Sequence, residues 1–405
     1  MAILKRLTLT IMLLLAGGFY GYTQDGIDEL SATDRELLYK AVDLVDGDMS
    51  ESALEDFDML AKKYPKNYLV QYERAYALYS LHRYDQVIKA QEFFLSHKDA
   101  DELAFQLVGN AYDITGDRRK AAEIYNEGLK RYPNSGKLYL ELGNIYNLDK
   151  DYDKAFENYN TGIRVDPNFA SNYFQAANLY LNSEGGKVWG LIYAEAEILL
   201  APSNEFRHQQ MASMMVDCFR ENIKLNYDSA KTSLSVTLTP TRTIRIDPET
   251  HIVYLNFPGV YETVLQTPLM SMLLNHEQFT ASIPQLIEIR RGAIDTYYAL
   301  TDNLYGKSMY MMEFQKEVID AGHWDAYNYF IFSGCYPEEF DAWYEEHEEE
   351  FDSFVDWYNN TPFTLGNGRS VTPGQLFDNY RPLDLIEATR IASGLLEASS
   401  AGSAD

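Results

Sequence analysis

Hydrophobic and polar positions repeat every 34 residues through the first half of this chain. Asn stands two residues before Tyr in three related segments, at Asn110, Asn144 and Asn178. Pro133 and Pro167 keep the same interval, and each marks the end of a helix because proline cannot continue one. Apolar residues between these marks recur at helical spacing. The pattern predicts a mostly α structure built from pairs of antiparallel helices.

Small and large residues occupy complementary positions in the two helices of each predicted pair. The small residues are Ala41 and Ala53, Gly109 and Ala121, Gly143 and Ala155, and Ala177 and Gly190. The large residues are Leu44 and Phe57, Tyr112 and Tyr125, and Tyr146 and Tyr159. This arrangement resembles the tetratricopeptide repeat (TPR), a helix pair of 34 residues that stacks into a superhelix. The resemblance covers nearly half of the chain and is strongest in the third and fourth repeats.

The predicted repeats lie near residues 34–67, 68–101, 102–135, 136–169 and 170–203. The second repeat departs from the pattern, because Asp99 stands where proline is expected and Val87 and Gln91 occupy packing positions of its second helix. Segment 204–226 is predicted to be a helix that caps the last repeat, since a repeat buries its face only against a neighbour. Its apolar stripe indicates a core face and consists of Met211, Met214, Met215, Cys218 and Phe219.

The 34-residue period stops near residue 226, and residues 227–385 are predicted to form a smaller α+β, mainly helical C-terminal domain. Segments 233–240 and 250–259 have the composition of strands, which predicts a short β-hairpin around the turn at 246–250. Helices are predicted near 260–277, 284–304, 307–321, 323–333 and 337–359. Small polar residues at 386–405 predict a flexible tail. This region is similar to the C-terminal regions of TPR proteins from bacteroidete-type bacteria, which have no assigned activity.

The first 23 residues have the pattern of a secretory signal peptide. Lys5 and Arg6 precede an apolar run over 7–16, which is shorter than the roughly 20 residues that span a bilayer. Small residues before Gln24 predict cleavage near residue 23. We therefore expect an exported protein of the bacterial periplasm, with an extracellular location as the alternative. Export permits a disulfide between Cys218 and Cys335, and buried free thiols are the other interpretation.

Composition narrows the class of partner. The chain carries 34 basic and 61 acidic residues, a formal net charge of −27. Phosphate backbones repel a polyanion of this kind, so we expect no nucleic-acid partner. The 32 tyrosines and 20 phenylalanines suit both helix packing and recognition surfaces. A protein or peptide partner of unknown identity is the expectation, and no membrane span is predicted.

Motifs for catalysis or metal binding are incomplete. His276 and Glu277 lack the second histidine of a zinc-protease helix, because Thr280 occupies its position. The acidic run at 345–352 lacks the glycine turn of a calcium loop. No phosphate loop, dinucleotide fingerprint or nucleophile elbow occurs in the sequence. We therefore expect no metal, no cofactor and no enzymatic activity.

The recurring asparagines point to a peptide-binding groove. In the TPR superhelix the first helix of each pair, helix A, lines a concave surface, and the resemblance implies that asparagines there bind a peptide backbone. An amide suits this role because it both donates and accepts hydrogen bonds. The predicted groove residues are Asn110, Asn144, Asn178, Tyr72, Tyr76, Tyr79, Gln106, Lys137 and Phe174. Ordinary helix packing is the alternative role for these side chains.

Two functions remain open at this stage. The first is a non-enzymatic interaction or scaffold protein that binds a partner polypeptide in the groove. The second is an enzyme or a ligand-binding module in the C-terminal domain, with the repeats as its docking arm. A deep C-terminal pocket with converging His, Asp or Glu would favour the second, and a filled aromatic core would favour the first.

Overall fold

The structure is a computed structural model that describes residues 24–47, 49–228, 231–238, 244–246, 253–255, 257–301 and 309–371. The predicted signal peptide and C-terminal tail lie outside these residues. The described residues form two compact units, a first unit that ends at Asp166 and a second unit that begins at Pro167. The predicted fifth repeat therefore belongs to the same compact unit as the C-terminal residues. The domain limits that we expected from the sequence stay predictions.

The first unit is a succession of helices. They are α1 (Gln24–Asp28), α2 (Ala32–Asp46), α3 (Ser50–Lys63), α4 (Tyr68–Ser80), α5 (Tyr84–Lys89), α6 (Gln91–Ser96), α7 (Glu102–Ile114), α8 (Arg118–Arg131), α9 (Gly136–Leu148) and α10 (Tyr152–Val165). Four helix pairs follow from this order, with α2, α4, α7 and α9 as their A helices. The second helix of the second pair is broken into α5 and α6 at Ala90, in the repeat whose packing positions depart from the pattern.

Polar side chains fix where several of these helices begin. Asn67, Asp117 and Ser135 each accept a hydrogen bond from the backbone N–H three residues later, at 3.0–3.2 Å. Such a cap satisfies one of the N–H groups that a helix start leaves without an intrahelical partner. The sequence therefore sets the helix boundaries locally.

The turns inside the second, third and fourth pairs each place one residue in a left-handed backbone conformation. His82, Gly116 and Lys150 occupy the same turn position at intervals of 34 residues, with φ of 59°, 93° and 61°. Glycine adopts this conformation without steric cost, whereas the other two residues bear a small strain. The 34-residue period therefore appears in the backbone conformation of the turns as well as in the packing residues.

The second unit combines further helices with two small sheets. Its elements are α11 (Ala170–Leu181), α12 (Lys187–Leu200), α13 (Glu205–Asn222), β1 (Ile223–Asp228), β2 (Lys231–Val236), β3 (Ile244–Ile246), β4 (Val253–Leu255), α14 (Phe257–Leu274), α15 (Ile283–Thr301), α16 (Tyr310–Asp320), α17 (Trp324–Phe332) and α18 (Pro337–Asn360). Helices α14 to α18 follow the predicted segments with small shifts at their ends. The fold class is mostly α with TPR-type helix pairs, as predicted.

The strands pair differently from the prediction. The sequence indicated one hairpin between 233–240 and 250–259, but β2 pairs antiparallel with β1 and β4 pairs with β3. Strand β1 begins at Ile223, within the segment that we assigned to the capping helix. Ile223 and Leu225 alternate with polar Lys224 and Asn226, the two-residue period of a strand. The run was too short to stand out beside the strong helical pattern before it.

Aromatic side chains fill the core of the second unit. Phe314 is fully buried, and its ring lies within 6.4 Å of five other rings, centroid to centroid. These rings belong to Tyr310, Tyr327, Trp357, Tyr358 and Phe363. Edge-to-face contacts of this kind stabilise a core beyond the area that they bury.

A charged pair lies inside the same core. Arg290 donates hydrogen bonds to Glu195 and to Asn328, and the guanidinium lies over the rings of Trp324, Tyr327 and Phe332. Gln315 also donates to Glu195 at 2.8 Å. A buried ion pair is tolerated only when further hydrogen bonds complete it, and here they do.

Cys218 and Cys335 are free thiols in the structure. Burial raises the pKa of Cys218 to about 12, which makes its thiol unreactive at neutral pH. Across the described ranges, no helix has the length and apolar content that a bilayer crossing requires.

Candidate functional site

The predicted tyrosines lie on α4, the A helix of the second repeat. Tyr72 stacks on Tyr68, and Tyr79 meets Tyr84 edge to face. Tyr76 is the most accessible of the predicted three, with 41% of its surface exposed. It lines an open surface cavity of about 500 Å³ together with the turn between α2 and α3. Tyr76 is therefore placed to meet a ligand, whereas Tyr72 and Tyr79 are half-buried.

The asparagines of the third and fourth repeats have partners inside the protein. The hydroxyl of Tyr125 donates to Oδ1 of Asn110 at 2.5 Å, and that of Tyr159 donates to Oδ1 of Asn144 at 3.0 Å. Both tyrosine rings are buried. Each asparagine thus satisfies a hydroxyl that its own repeat buries, which is a packing role.

Glycine makes room for each of these rings. A Cβ at Gly109 would lie 2.1 Å from Cε1 of Tyr125, and one at Gly143 would lie 2.3 Å from Cε1 of Tyr159. Such distances exclude any side chain at these two positions unless the ring moves. Glycine, asparagine and tyrosine therefore form one packing unit in each of the two repeats.

The first repeat supplies a comparison within the chain. Phe57 occupies the position of the tyrosine, and Val42 stands 15 residues before it, where the asparagine would be. Phe57 is fully buried and has no hydroxyl, so it needs no acceptor. Asparagine is present in the repeats that bury a tyrosine hydroxyl and absent from the repeat that buries Phe57. This difference supports a packing role for the recurring asparagines.

A carboxylate connects the amides of the two repeats. Oε1 of Glu141 accepts from Nε2 of Gln106 at 2.8 Å, and Oε2 accepts from Nδ2 of Asn144 at 3.2 Å. Burial raises the pKa of Glu141, while the hydrogen bonds from Gln106 and Asn144 oppose the increase. The A helices α7 and α9 therefore share a half-buried polar cluster centred on Glu141.

Sequence reasoning did not single out Glu141. A signal exists, because Glu73 occupies the same repeat position 68 residues earlier, two full periods away. Glu73 is also largely buried. A carboxylate recurring on the inner part of helix A is unusual enough to have been noted.

Other charges near this cluster are neutralised locally. Lys137 pairs with Glu102 at 3.0 Å, so the basic residue predicted for the groove has an acidic partner on the neighbouring A helix. Arg118 lies 3.6 Å from Asp113 and 3.2 Å from Asp149. Among the described residues no Lys or Arg forms a salt bridge with Glu141, and its charge is held by amides alone.

Asn178 and Phe174 lie on α11 in the second unit. Nδ2 of Asn178 donates to the carbonyl of Phe174 at 2.8 Å, and its Oδ1 accepts from Nε2 of Gln210 at 2.8 Å. The guanidinium of Arg207 lies 4.7 Å from the centroid of the Phe174 ring. Side chains of α13 thus cover both of these predicted groove residues.

Glu197 is a buried carboxylate beside this contact. It is fully buried on α12, and neither carboxylate oxygen has a hydrogen-bond partner. Nη1 of Arg207 lies 3.9 Å from Oε1. Burial raises the pKa of Glu197 to about 8, although the charge of Arg207 acts in the opposite direction. At neutral pH the proton stabilises this carboxyl group in the core.

The alternative function, an enzyme or a ligand-binding module, requires a deep pocket with converging His, Asp or Glu side chains among the C-terminal helices. A cleft of about 380 Å³ lies between α14 and α15, and its charged lining residues are Glu288, Arg291, Asp295 and Asp325. Arg291 pairs with Asp295 at 3.8 Å on the exposed surface. Within the described ranges, no three His, Cys, Asp or Glu side chains are grouped to hold a metal ion. The cleft is open to the surface, whereas aromatic rings fill the core around Phe314.

One protein-family model matches this chain, and the matched residues lie within the helical repeats. Residues 109–168 match the family model "Tetratricopeptide repeat". No curated protein sequence matches the chain. The matched residues contain both Asn–Tyr pairs and Glu141.

Three solved structures are each similar to less than half of this chain. A thermophilic TPR protein of Thermus thermophilus is 18% identical, covering 45% of this chain and 99% of its own, with a TM-score of 0.39. MamA is 16% identical over 40% of this chain and 93% of its own, with a TM-score of 0.34. YrrB, a TPR protein with an unusual peptide-binding site, is 15% identical over 42% of this chain and 88% of its own, with a TM-score of 0.32. Over residues 109–168, this chain is therefore similar to the tetratricopeptide repeat family.

Proposed function

We propose that this chain is a non-enzymatic interaction protein that holds an extended segment of a partner polypeptide against the A helices of its repeats. The proposed binding surface, the A-helix face, is defined in the first unit by Tyr72, Tyr76, Tyr79, Gln106, Asn110, Glu141 and Asn144. Lys137 is paired with Glu102 and is left out of this surface, and Phe174 and Asn178 lie in the second unit, where side chains of α13 cover them.

The observation that carries this proposal is the half-buried row of amides on the A helices α7 and α9, together with exposed Tyr76 on the A helix α4. A carboxamide has two donor hydrogens and two acceptor positions, so Asn110 and Asn144 retain hydrogen-bonding capacity beyond the bond to tyrosine. A peptide backbone needs such donors and acceptors when it leaves water. Aromatic rings near the row offer apolar area for side chains.

Position-specific crosslinking tests this proposal in the cells that make the protein. A photoreactive phenylalanine analogue replaces Tyr76 in one variant and Tyr152 in the other. Both side chains are similarly exposed, at 41% and 48%, and both belong to the first unit, but Tyr152 begins a B helix. We expect a protein adduct from position 76 and none from position 152. Equal adducts from both positions, or none from either, would contradict binding at the A-helix face.

A further inference from the structure

The carboxylate of Glu141 is the charged group at the centre of the A-helix face. It accepts one hydrogen bond at each oxygen, from Gln106 at 2.8 Å and from Asn144 at 3.2 Å. These bonds fix its orientation because they come from two different helices, α7 and α9. A carboxylate has about four acceptor positions, so two remain for a further donor.

Glu141 differs from the carboxylates around it in having no counter-charge. Glu102 has Lys137, and Asp113 and Asp149 share Arg118. In the part of the chain that the structure describes, Glu141 makes no salt bridge. A half-buried carboxylate held only by amides keeps its negative charge at a cost in solvation, which an incoming cation would offset.

The carboxylate and its two amide donors suit a cationic ligand. Nε2 of Gln106 and Nδ2 of Asn144 leave acceptor positions on both oxygens of Glu141, and an ammonium or a guanidinium group donates strong hydrogen bonds to such oxygens.

We propose that Glu141 is the docking point for a lysine or arginine side chain of the bound segment. This inference rests on the proposed function, because it names the chemistry of the segment that the A-helix face accepts. The partner segment is therefore basic at one position and extended around it.

The test uses peptides selected on the full-length protein from a random 12-residue display library. We expect the enriched peptides to share a lysine or an arginine at one position. The strongest peptide is then synthesised with that residue intact and with its neutral counterpart, citrulline for arginine or acetyl-lysine for lysine. Binding is measured by fluorescence anisotropy.

The matched protein variants are Glu141→Gln and Glu127→Gln, which remove the same charge. Glu127 is exposed on the B helix α8. We expect Glu141→Gln to weaken binding of the cationic peptide by about 10- to 100-fold, and Glu127→Gln to change it less than about twofold. The neutral peptide should bind weakly to the wild type and no more weakly to Glu141→Gln.

The outcomes separate this inference from the proposed function. Peptides that need Tyr76 but bind equally well to wild type and Glu141→Gln would overturn the cation site and leave the A-helix face in place. Peptides that bind without regard to Tyr76 or Glu141, or the absence of any enriched peptide, would count against both.

Discussion

The hydroxyl of Tyr125 donates a hydrogen bond to Oδ1 of Asn110, 15 residues earlier in the chain. The same bond joins Tyr159 to Asn144 in the next repeat. The recurring asparagine is therefore part of how each helix pair packs. In the fourth repeat the amide nitrogen of Asn144 also donates to Glu141, so one side chain takes part both in helix packing and in the candidate binding surface.

We predict that Asn110→Ala lowers the free energy of unfolding by about 1–3 kcal/mol, because the buried hydroxyl of Tyr125 loses its acceptor. Adding Tyr125→Phe should recover part of this loss, since the hydroxyl is then absent as it is at Phe57. Urea denaturation of the single and double variants measures the coupling. Strictly additive losses would mean that the hydrogen bond does not contribute.

We predict a comparable loss of stability for Gly109→Ala, because the new Cβ would lie 2.1 Å from the ring of Tyr125. Overpacking of a core costs about 1–3 kcal/mol and forces the ring or the helix to shift. Ala111→Gly in the same helix is the comparison, since it adds no atoms and should cost about 1–2 kcal/mol through backbone entropy and the loss of one buried methyl group. Thermal unfolding that leaves Gly109→Ala unchanged would show that α7 and α8 are further apart than described.

The buried carboxyl group of Glu197 predicts a pH dependence. Its pKa is about 8 in the folded protein against an ordinary value of 4.5, so the folded state binds more protons between these values. Stability should therefore be full below about pH 4.5 and should fall as pH rises towards 8, by up to about 1.4 kcal/mol per pH unit.

Glu197→Gln removes this dependence because an amide does not titrate. We expect the variant to be more stable than wild type at pH 8 and to show a flatter profile between pH 5 and 8. Exposed Glu205→Gln on α13 is the control. Parallel profiles for wild type and Glu197→Gln would mean that Arg207 keeps this carboxyl group ionised throughout.

The ion pair in the second unit gives another prediction. Arg290→Ala should destabilise this unit by about 3–5 kcal/mol, because Glu195 would be left as an uncompensated buried charge. The double variant Glu195→Gln/Arg290→Met should be less damaging, since it removes both charges and keeps similar volume. Guanidinium unfolding followed by tryptophan fluorescence compares them. A double variant as unstable as Arg290→Ala would argue against this pairing.

The helical repeats were predictable because their determinants are local and recur. Spacing of Pro133 and Pro167 set the register, and small residues such as Gly109 marked close helix contacts. The prediction was wrong at β1, where two apolar residues, Ile223 and Leu225, follow a long helix without a break. Pairing of strands depends on contacts that a single sequence does not record.

The candidate site could be predicted only in part. Repeat position identified Asn110 and Asn144, but their bonds to Tyr125 and Tyr159 depend on the distance between two helices. The covering of Phe174 by Arg207 follows from the packing of α13, which the repeat pattern does not contain. Glu141 was missed although Glu73 marks the same repeat position two periods earlier, and its role became visible only with its hydrogen bonds to Gln106 and Asn144.

The most direct test of binding at the A-helix face is the affinity of the crosslinked partner, once purified, for three forms of the full-length protein. Calorimetry compares wild type, Tyr76→Ala and Tyr152→Ala, with circular dichroism as the folding control. Loss of an aromatic contact at an interface costs on the order of 2 kcal/mol, so Tyr76→Ala should weaken binding by about 30-fold while Tyr152→Ala stays within about twofold of wild type. Equal affinities for all three forms would contradict the central claim that the partner lies along the A helices.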